Sequence, residues 1–494
     1  MSRVLLSIGA IQLAIMVVAL VRAKVLSVLL GPAGYGVTST IDQTVLSVMQ
    51  LAHLSLPFTA LKFMARRHSE GHAAFERTFA TFFRALAVQG LIAVVVVAAL
   101  LAWRPTLFGS DLSVYRPYFY IAILGVPAAM LNVLFVNTLA SAQRGTSSAM
   151  LNMLVLLTLA LAAMAGVVVH GIPGLYVATV GAGVFTTIGS IWYLRRALGV
   201  RTDAPTLGLR RELHGSPEIV RYAMLIYTAM SAYSLTMLAT RYFVFAGLGA
   251  VGAGLLQALL GIALTVGAVI TPMNGLFFTP YVNRQLDPAT KVAAADDFAS
   301  KITLLLLVAG VAVALFPRIT LTVLFSAKFA PGAAALAIFV IWQCLYQMVN
   351  VYLQLLIGLD DVAFFAAITC LAYGVAAASF PGLIATFGLG GAAMALSLAM
   401  LVALACSLYR LKRRFGATVA PAVLWRGAYC LLAIGVAGRL FSPASETTLG
   451  GIGMRAIYAL AVLAIAALTL SSSERAMFAS LIAARRGRAP GIAP

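Results

Sequence analysis

Two cations near the end of a long apolar segment are the residues in this sequence that could most clearly take part in binding chemistry. Arg22 and Lys24 lie in that segment, and the glycine-rich stretch GPAGYG follows at positions 31–36. A charge inside a membrane-length helix is costly and by default indicates a functional role. A guanidinium donates to two phosphate oxygens at once, whereas an ammonium acts as a point charge. The pattern therefore indicates a site for an anionic group. Arg241 precedes a weaker copy of the same stretch and is a third candidate.

The composition requires that these cations be positioned by membrane helices. Hydrophobic residues make up 62% of the chain and charged residues only 10%, whereas soluble domains carry about 25% charged residues. Apolar runs of about 20 residues recur, which is the length that spans a bilayer core. We therefore predict an all-α polytopic membrane protein. The net charge of +20 follows topology, so we expect no nucleic-acid partner.

The same patterns give no reason to expect a metal or a cofactor. The four cysteines lie in apolar helices without metal-ligand spacing, and no pair of histidines has the spacing of a zinc site. We also find no catalytic constellation and predict that the protein is not an enzyme.

About 14 membrane spans can be assigned from hydropathy, with boundaries good to a few residues. The inner links carry most of the Lys and Arg, which predicts an even number of spans with both termini in the cytoplasm. The predicted spans are 4–29, 37–61, 79–102, 118–141, 148–170, 173–194, 218–245, 251–279, 299–323, 333–357, 363–386, 390–411, 420–440 and 452–471.

An internal repeat divides these spans into two lobes. The glycines of 31–36 align with those of 249–254, residues 171–178 with 388–395, and residues 194–196 with 411–413, all at an offset of about 218. Six spans per copy give both copies the same orientation, and parallel repeats pack about an axis along the membrane normal. We predict two six-helix lobes around a central cleft. The predicted boundaries are 1–196 for the N-lobe, 197–217 for a cytoplasmic linker, 218–414 for the C-lobe, 415–475 for two extra spans and 476–494 for a basic cytoplasmic tail.

Polar residues at helical spacing mark faces that avoid lipid. The second, seventh and tenth spans carry such faces, and the tenth has four amides spaced three or four residues apart along one face. Hydrogen bonds between helices explain Ser and Thr adequately, but the four amides favour a wet cavity. The predicted cleft-lining residues are Gln43, Gln50, Tyr227, Ser231, Gln343, Gln347, Asn350 and Gln354.

Acidic residues are scarce at membrane depth. Asp42, in the outer part of the second span, is the only clear one and is a candidate for ion coupling. A cleft with more cations than acids suits an anionic substrate better than a cationic drug.

The hairpin with Arg22 ahead of it, LGPAGYG at 30–36, resembles polysaccharide flippases of the multidrug/oligosaccharidyl-lipid/polysaccharide exporter superfamily. The segment LFSAKFAP at 324–331 and the pair Trp342-Gln343 are similar to stretches of O-antigen translocases, and the resemblance covers about residues 1–415. In a related lipid II flippase, an Arg matching Arg22 contributes to a cationic cleft. The family often has an acid just before the arginine matching Arg241, and Thr240 stands there instead.

The resemblance implies export of an undecaprenyl-diphosphate-linked oligosaccharide by alternating access, for surface polysaccharide such as O-antigen or exopolysaccharide. It also implies membrane lipids and a polysaccharide polymerase or other assembly proteins as partners. Arg22, Lys24 and Arg241 would hold the diphosphate. Two alternatives stay open at this point: a cation-coupled multidrug antiporter of the same fold, and a non-transporting scaffold of a polysaccharide synthase complex.

Overall fold

The computed structural model describes residues 2–104, 112–206, 208–268, 270–274, 278–441 and 443–469. These residues form α-helices and short 3-10 turns, without strands among them. The helices of the first half are α1 (Ser2–Ala52), α2 (Leu56–Glu70), α3 (His72–Trp103), α4 (Arg116–Ile123), α5 (Val126–Ser141), α6 (Gly145–Leu198) and α7 (Leu209–His214). The second half contains α8 (Pro217–Gly267), α9 (Ile270–Met273), α10 (Thr279–Val282), α11 (Pro288–Leu315), α12 (Pro317–Leu324), α13 (Ala333–Gly358), α14 (Val362–Phe387), α15 (Leu389–Phe415), α16 (Pro421–Leu440) and α17 (Leu449–Leu468).

Ten of the described helices are long and apolar enough to cross a membrane, and α4 with α5 forms an eleventh span bent by 42°. Three of them, α1, α6 and α8, each contain two spans because the chain reverses inside them. Arg22 and Asp42 of α1 are 3.3 Å apart, although 20 residues of straight helix would separate them by about 30 Å. Arg241 and Gln257 of α8 are likewise hydrogen bonded, and Gly166 meets Gly174 within α6. The described residues are therefore compatible with fourteen spans, and the all-α polytopic fold is confirmed.

Several span boundaries differ from the sequence prediction. The second predicted span, 37–61, ends at Ala52, where Leu54 and Ser55 adopt positive φ before α2 begins. The eighth, 251–279, ends as a regular helix at Gly267 and continues in short helical pieces. The fourth breaks between α4 and α5, and the ninth between α11 and α12. Hydropathy misses these breaks because the apolar pattern continues through them.

Each reversal contains a glycine with positive φ, joined in α6 by the non-helical His170, and equivalent glycines have similar conformations in the two halves. Gly31 has φ 65° and ψ −179°, and Gly249 has φ 70° and ψ −173°. Gly171 and Gly388 form a second matched pair, with φ of 63° and 56° and ψ of −139° and −132°. A φ in this range is open to glycine at little steric cost. The matched backbone geometry supports the internal repeat, while the exact lobe boundaries stay a prediction.

The two glycine hairpins pack directly against each other. We call their end of the molecule the hairpin side, and the end that carries residues 199–217 the linker side. A Cβ atom added at Gly36 would overlap the carbonyl of Ala250, and one at Gly254 would overlap the carbonyl of Pro32. These glycines therefore allow the backbones of α1 and α8 to meet without side chains between them.

This close approach gives a stability prediction. We expect Gly254→Ala to lower the free energy of unfolding by about 1–3 kcal/mol, because the methyl group has to displace rigid backbone. Thermal unfolding of the purified protein in detergent measures the effect. Gly374→Ala in α14 is the control, since its Cβ would meet open space and alanine favours a helix interior by about 0.5–1 kcal/mol. Equal behaviour of the two variants would contradict the packing argument.

Polar contacts join neighbouring segments at the linker side. Glu212 of α7 is 3% exposed and accepts hydrogen bonds from Thr78 and Arg67, so the predicted linker is docked against α2 and α3. Arg410 and Asp361 form a second ion pair at the same end. Burial alone would raise the pKa of Asp361, but the hydrogen bond and charge of Arg410 outweigh it and lower that pKa. The predicted tail, 476–494, and residues 470–475 lie outside the described residues.

Candidate functional site

A cavity of about 400 Å³ lies between the two hairpins and the helices that continue from them. Residues 16–26 of α1 form one wall, and residues 261–268, at the end of α8 and just beyond it, form the other, while Tyr35 and Phe325 lie at the hairpin end. The cavity contains Arg22, Asp42 and Arg241, three of the residues that the sequence predicted for the site. They come from both predicted lobes, so residues of both halves of the chain line the cavity.

Arg22 is paired inside this cavity. Its Nη2 lies 3.3 Å from Oδ2 of Asp42, and Oδ1 of Asp42 accepts a hydrogen bond of 3.2 Å from the hydroxyl of Tyr176. The side chains of Arg22 and Asp42 are still 36% and 38% exposed. Arg22 therefore faces the cavity and is not turned into lipid, but a carboxylate already balances its charge.

Arg241 has a different environment. It is 8% exposed and donates to the carbonyl of Met237 at 3.2 Å and to Oε1 of Gln257 at 2.7 Å. Its Nε has no hydrogen-bond partner, and no carboxylate lies within 4 Å of it among the described residues. A buried guanidinium held only by neutral oxygens retains its full charge, and leaving a buried donor unpaired is costly. An anion entering the cavity would satisfy this group.

The two hairpins thus present the same arrangement with different chemistry. In each, an arginine ahead of the glycine reversal meets a polar side chain on the returning helix: Asp42 for Arg22 and Gln257 for Arg241. Among the described residues that line the cavity, the formal charge is one positive unit, since Asp42 cancels one of two arginines. The site can attract an anionic group while offering hydroxyl and amide groups to neutral parts of a ligand.

Lys24 lies away from the cavity lining. Its Nζ donates to the carbonyls of Thr322 and Val323, at 3.0 Å and 2.9 Å, in the last turn of α12. Its predicted contact with a diphosphate is therefore absent from this arrangement and stays a prediction.

The predicted cleft-lining residues of α1 and α8 divide into two groups. Gln43 lines the cavity. Gln50, Tyr227 and Ser231 lie farther toward the linker side, where the hydroxyl of Tyr227 donates to the carbonyl of Leu51 at 2.8 Å. In this arrangement they belong to the seam between the two halves. Two polar atoms of this seam, Nε2 of Gln50 and Oγ of Ser231, are buried without a hydrogen-bond partner.

The four amides of α13 are placed outside the residues that line the cavity. Gln343 and Gln347 are 1% and 3% exposed and lie against Gly267 at the end of α8, where Nε2 of Gln347 donates to the Gly267 carbonyl. Asn350 and Gln354 follow on the same helix and are half-buried. The contact with Gly267 accounts for Gln347, whereas Oε1 of Gln343 is buried without a hydrogen-bond partner. A contact with sugar hydroxyls stays a prediction for all four.

Two residues of the site were missed by sequence reasoning. Tyr176 fixes Asp42 and also donates to the carbonyl of Thr38 at 3.1 Å. Gln257 holds Arg241. Gln257 could have been noticed as an isolated amide in a long apolar span, eight residues after the second glycine reversal. It was missed because the prediction relied on polar residues repeated along one helix face, and a single residue forms no such repeat.

The fold is that of known membrane transporters. The chain is similar to a multidrug resistance MATE family transporter of the MOP superfamily in its inward-facing conformation, with a TM-score of 0.65 at 14% identity, covering 86% of this chain and 99% of that one. It is also similar to the lipid II flippase MurJ in an inward closed conformation, with a TM-score of 0.66 at 10% identity and coverage of 93% and 98%.

A third similar structure is a MOP superfamily transporter from Pyrococcus furiosus, described as having a binding pocket of reverse polarity. Its TM-score is 0.59 at 12% identity, covering 87% of this chain and 96% of that one. No protein-family model matches the sequence, and no curated protein matches it significantly. These likenesses establish the fold, and the substrate has to be argued from the cavity.

Proposed function

We propose that this protein is a flippase that moves a polyprenyl-diphosphate-linked oligosaccharide from the cytoplasmic to the periplasmic leaflet by alternating access. The observation that carries the proposal is Arg241, a buried guanidinium in the cavity whose described partners are all neutral. Its charge is available to a phosphate, and its planar fork suits two phosphate oxygens. Arg22 adds a second guanidinium once its pairing with Asp42 loosens.

The remainder of the substrate fits the surroundings of these arginines. Gln43, Thr38 and Ser39 line the cavity and offer hydrogen bonds to sugars or to the remaining phosphate oxygens. A polyprenyl chain would stay in the surrounding lipid, beside the spans formed by α16 and α17. Membrane lipids are therefore partners, and polymerase or other assembly proteins are proposed partners for use of the exported product.

The direction of transport follows from the distribution of cations. Lys and Arg concentrate at the linker side, which the positive-inside rule assigns to the cytoplasm. The hairpin side then faces the periplasm of a bacterial inner membrane. About two negative charges would move outward from a negative interior, a change that releases about 2.3 kcal/mol per charge per 100 mV. The membrane potential or an ion acting at Asp42 would drive export.

A multidrug antiporter is the second candidate, because Asp42 lies in the cavity and similar structures include multidrug transporters. A cationic drug would have to compete with Arg22 for Asp42 and to approach Arg241. The excess positive charge of the cavity opposes both, so the flippase is the better-supported function.

Reconstitution distinguishes the two candidates. We expect proteoliposomes with the protein to flip a fluorescent undecaprenyl-diphosphate oligosaccharide and to leave a cationic dye untransported. Arg22→Ala should abolish both flipping and complementation of a flippase-null strain while the protein still reaches the membrane. Arg439→Ala, at the exposed end of α16, is the matched control and should behave as the unaltered protein. Dye transport without lipid flipping would contradict the proposal.

A further inference from the structure

Helix α12 connects parts of the molecule that come from both predicted lobes. It lies at the hairpin side, directly after α11, and is followed by Phe325 and a 3-10 turn, Ala327–Gly332. Its first turn is held by Glu446, whose Oε1 and Oε2 accept from the backbone N–H groups of Arg318 and Ile319 at 2.9 Å and 2.8 Å. Glu446 is 1% exposed, so this end is fixed to the segment that precedes α17.

The other end of α12 is held by Lys24, from the first span. The last carbonyls of a helix have no intrahelical donors, and a cation is stabilised beside them by the helix dipole. Lys24 takes this position at the carbonyls of Thr322 and Val323 and is half-buried there. An acid at the N-terminal end and a cation at the C-terminal end thus clamp α12 from two different parts of the chain.

An aromatic cluster lies immediately beyond this contact. The ring of Tyr35, in the first hairpin, lies 6.0 Å from the ring of Phe325 and 5.9 Å from that of Phe329, measured between centroids. Phe325 and Phe329 are 1% and 0% exposed. Tyr35 and Phe325 also line the cavity, so the cluster closes its hairpin end.

We propose that Lys24 is a latch that keeps the hairpin side of the cavity closed, by locking α1 to the C-terminal end of α12 and so holding Phe325 against Tyr35. Opening toward the hairpin side separates α1 from α12 and therefore breaks the two Lys24 hydrogen bonds. The buried Glu446 end stays attached, so α12 moves with the second half of the molecule. The inference concerns the protein without substrate and does not depend on what the cavity carries.

Thiol labelling of a reporter at the hairpin end of the cavity tests the latch. Ser39 lines the cavity and is 6% exposed, so Ser39→Cys in a background without the four natural cysteines provides the reporter. In right-side-out vesicles without substrate, an impermeant maleimide should label this cysteine about tenfold faster in Lys24→Met than in the parent. Lys24→Arg, which keeps a cation at the helix end, should label at a rate near that of the parent.

Two further variants make the test decisive. Lys328→Met removes an exposed cation from the neighbouring turn and should leave labelling unchanged, so an equal rise there would overturn the proposal. Phe325→Ala shortens the aromatic plug without altering the Lys24 contact and should also accelerate labelling. If Lys24→Met does not fold, Lys24→Ala, which removes the same two hydrogen bonds, decides, and an unchanged rate in the folded Lys24 variant contradicts the latch. A role of Lys24 only as a phosphate ligand would leave labelling without substrate unchanged.

Discussion

Arg241→Met is expected to weaken binding of undecaprenyl diphosphate by about 100-fold and to abolish transport, while the protein still folds and inserts. Removing one partner of a buried charge contact costs about 2–5 kcal/mol, and each 1.4 kcal/mol corresponds to a factor of ten in affinity. Met fills similar space and removes the only cavity cation that no described carboxylate balances. Titration of the lipid into purified protein in nanodiscs measures the loss.

The neighbouring amide provides a sharper test of the same point. Gln257→Glu leaves Arg241 in place but gives it the kind of partner that Asp42 gives Arg22. The formal charge of the described cavity lining then falls to zero, and we expect affinity for the lipid to fall about tenfold with no loss of thermal stability. The affinity of Arg241→Lys for the lipid should lie between those of the unaltered protein and Arg241→Met, because lysine keeps the positive charge but cannot donate two parallel hydrogen bonds as a guanidinium does. Unchanged binding in folded Gln257→Glu would show that the unbalanced charge of Arg241 does not determine affinity for the lipid.

Asp42→Asn is expected to have the opposite effect on binding. It releases Arg22 from its carboxylate and raises the formal charge of the described lining from one to two positive units. We expect binding of undecaprenyl diphosphate to tighten about tenfold, the scale of a partly buried charge interaction, and turnover to fall because release is slower. The same nanodisc titration, together with a flipping assay, separates the two effects.

Asp203→Asn, which removes an exposed acid of the linker, is the control and should leave both binding and turnover unchanged. Unchanged transport in Asp42→Asn would remove Asp42 from ion coupling.

The sequence was most informative where geometry follows from a local rule. Hydropathy predicted the spans, and the glycine patterns predicted reversals at Gly31 and Gly249 that the structure shows with nearly equal backbone angles. The sequence grouped Arg22, Lys24 and Arg241 as one site and named Asp42 separately for ion coupling; Arg22, Asp42 and Arg241 line one cavity and Lys24 does not. The functional roles of these residues stay predictions.

What the sequence did not predict depends on contacts between distant elements. Lys24 meets carbonyls almost 300 positions away, and backbone acceptors leave no trace in a side-chain pattern. The amides of α13 formed a convincing stripe, but a stripe does not tell whether its partner is water or a helix end such as Gly267. Tyr176 and Gln257 were missed because each acts alone on its helix.

The one-residue reversals at Gly31 and Gly249 restrict how the molecule can change state. A turn without a flexible loop leaves no slack between the two arms of a hairpin, so each hairpin has to travel as a stiff unit. Any rotation of one hairpin against the other has to take place at the contact between Gly36 and Gly254. A larger side chain at either position would therefore hinder that rotation without touching the cavity.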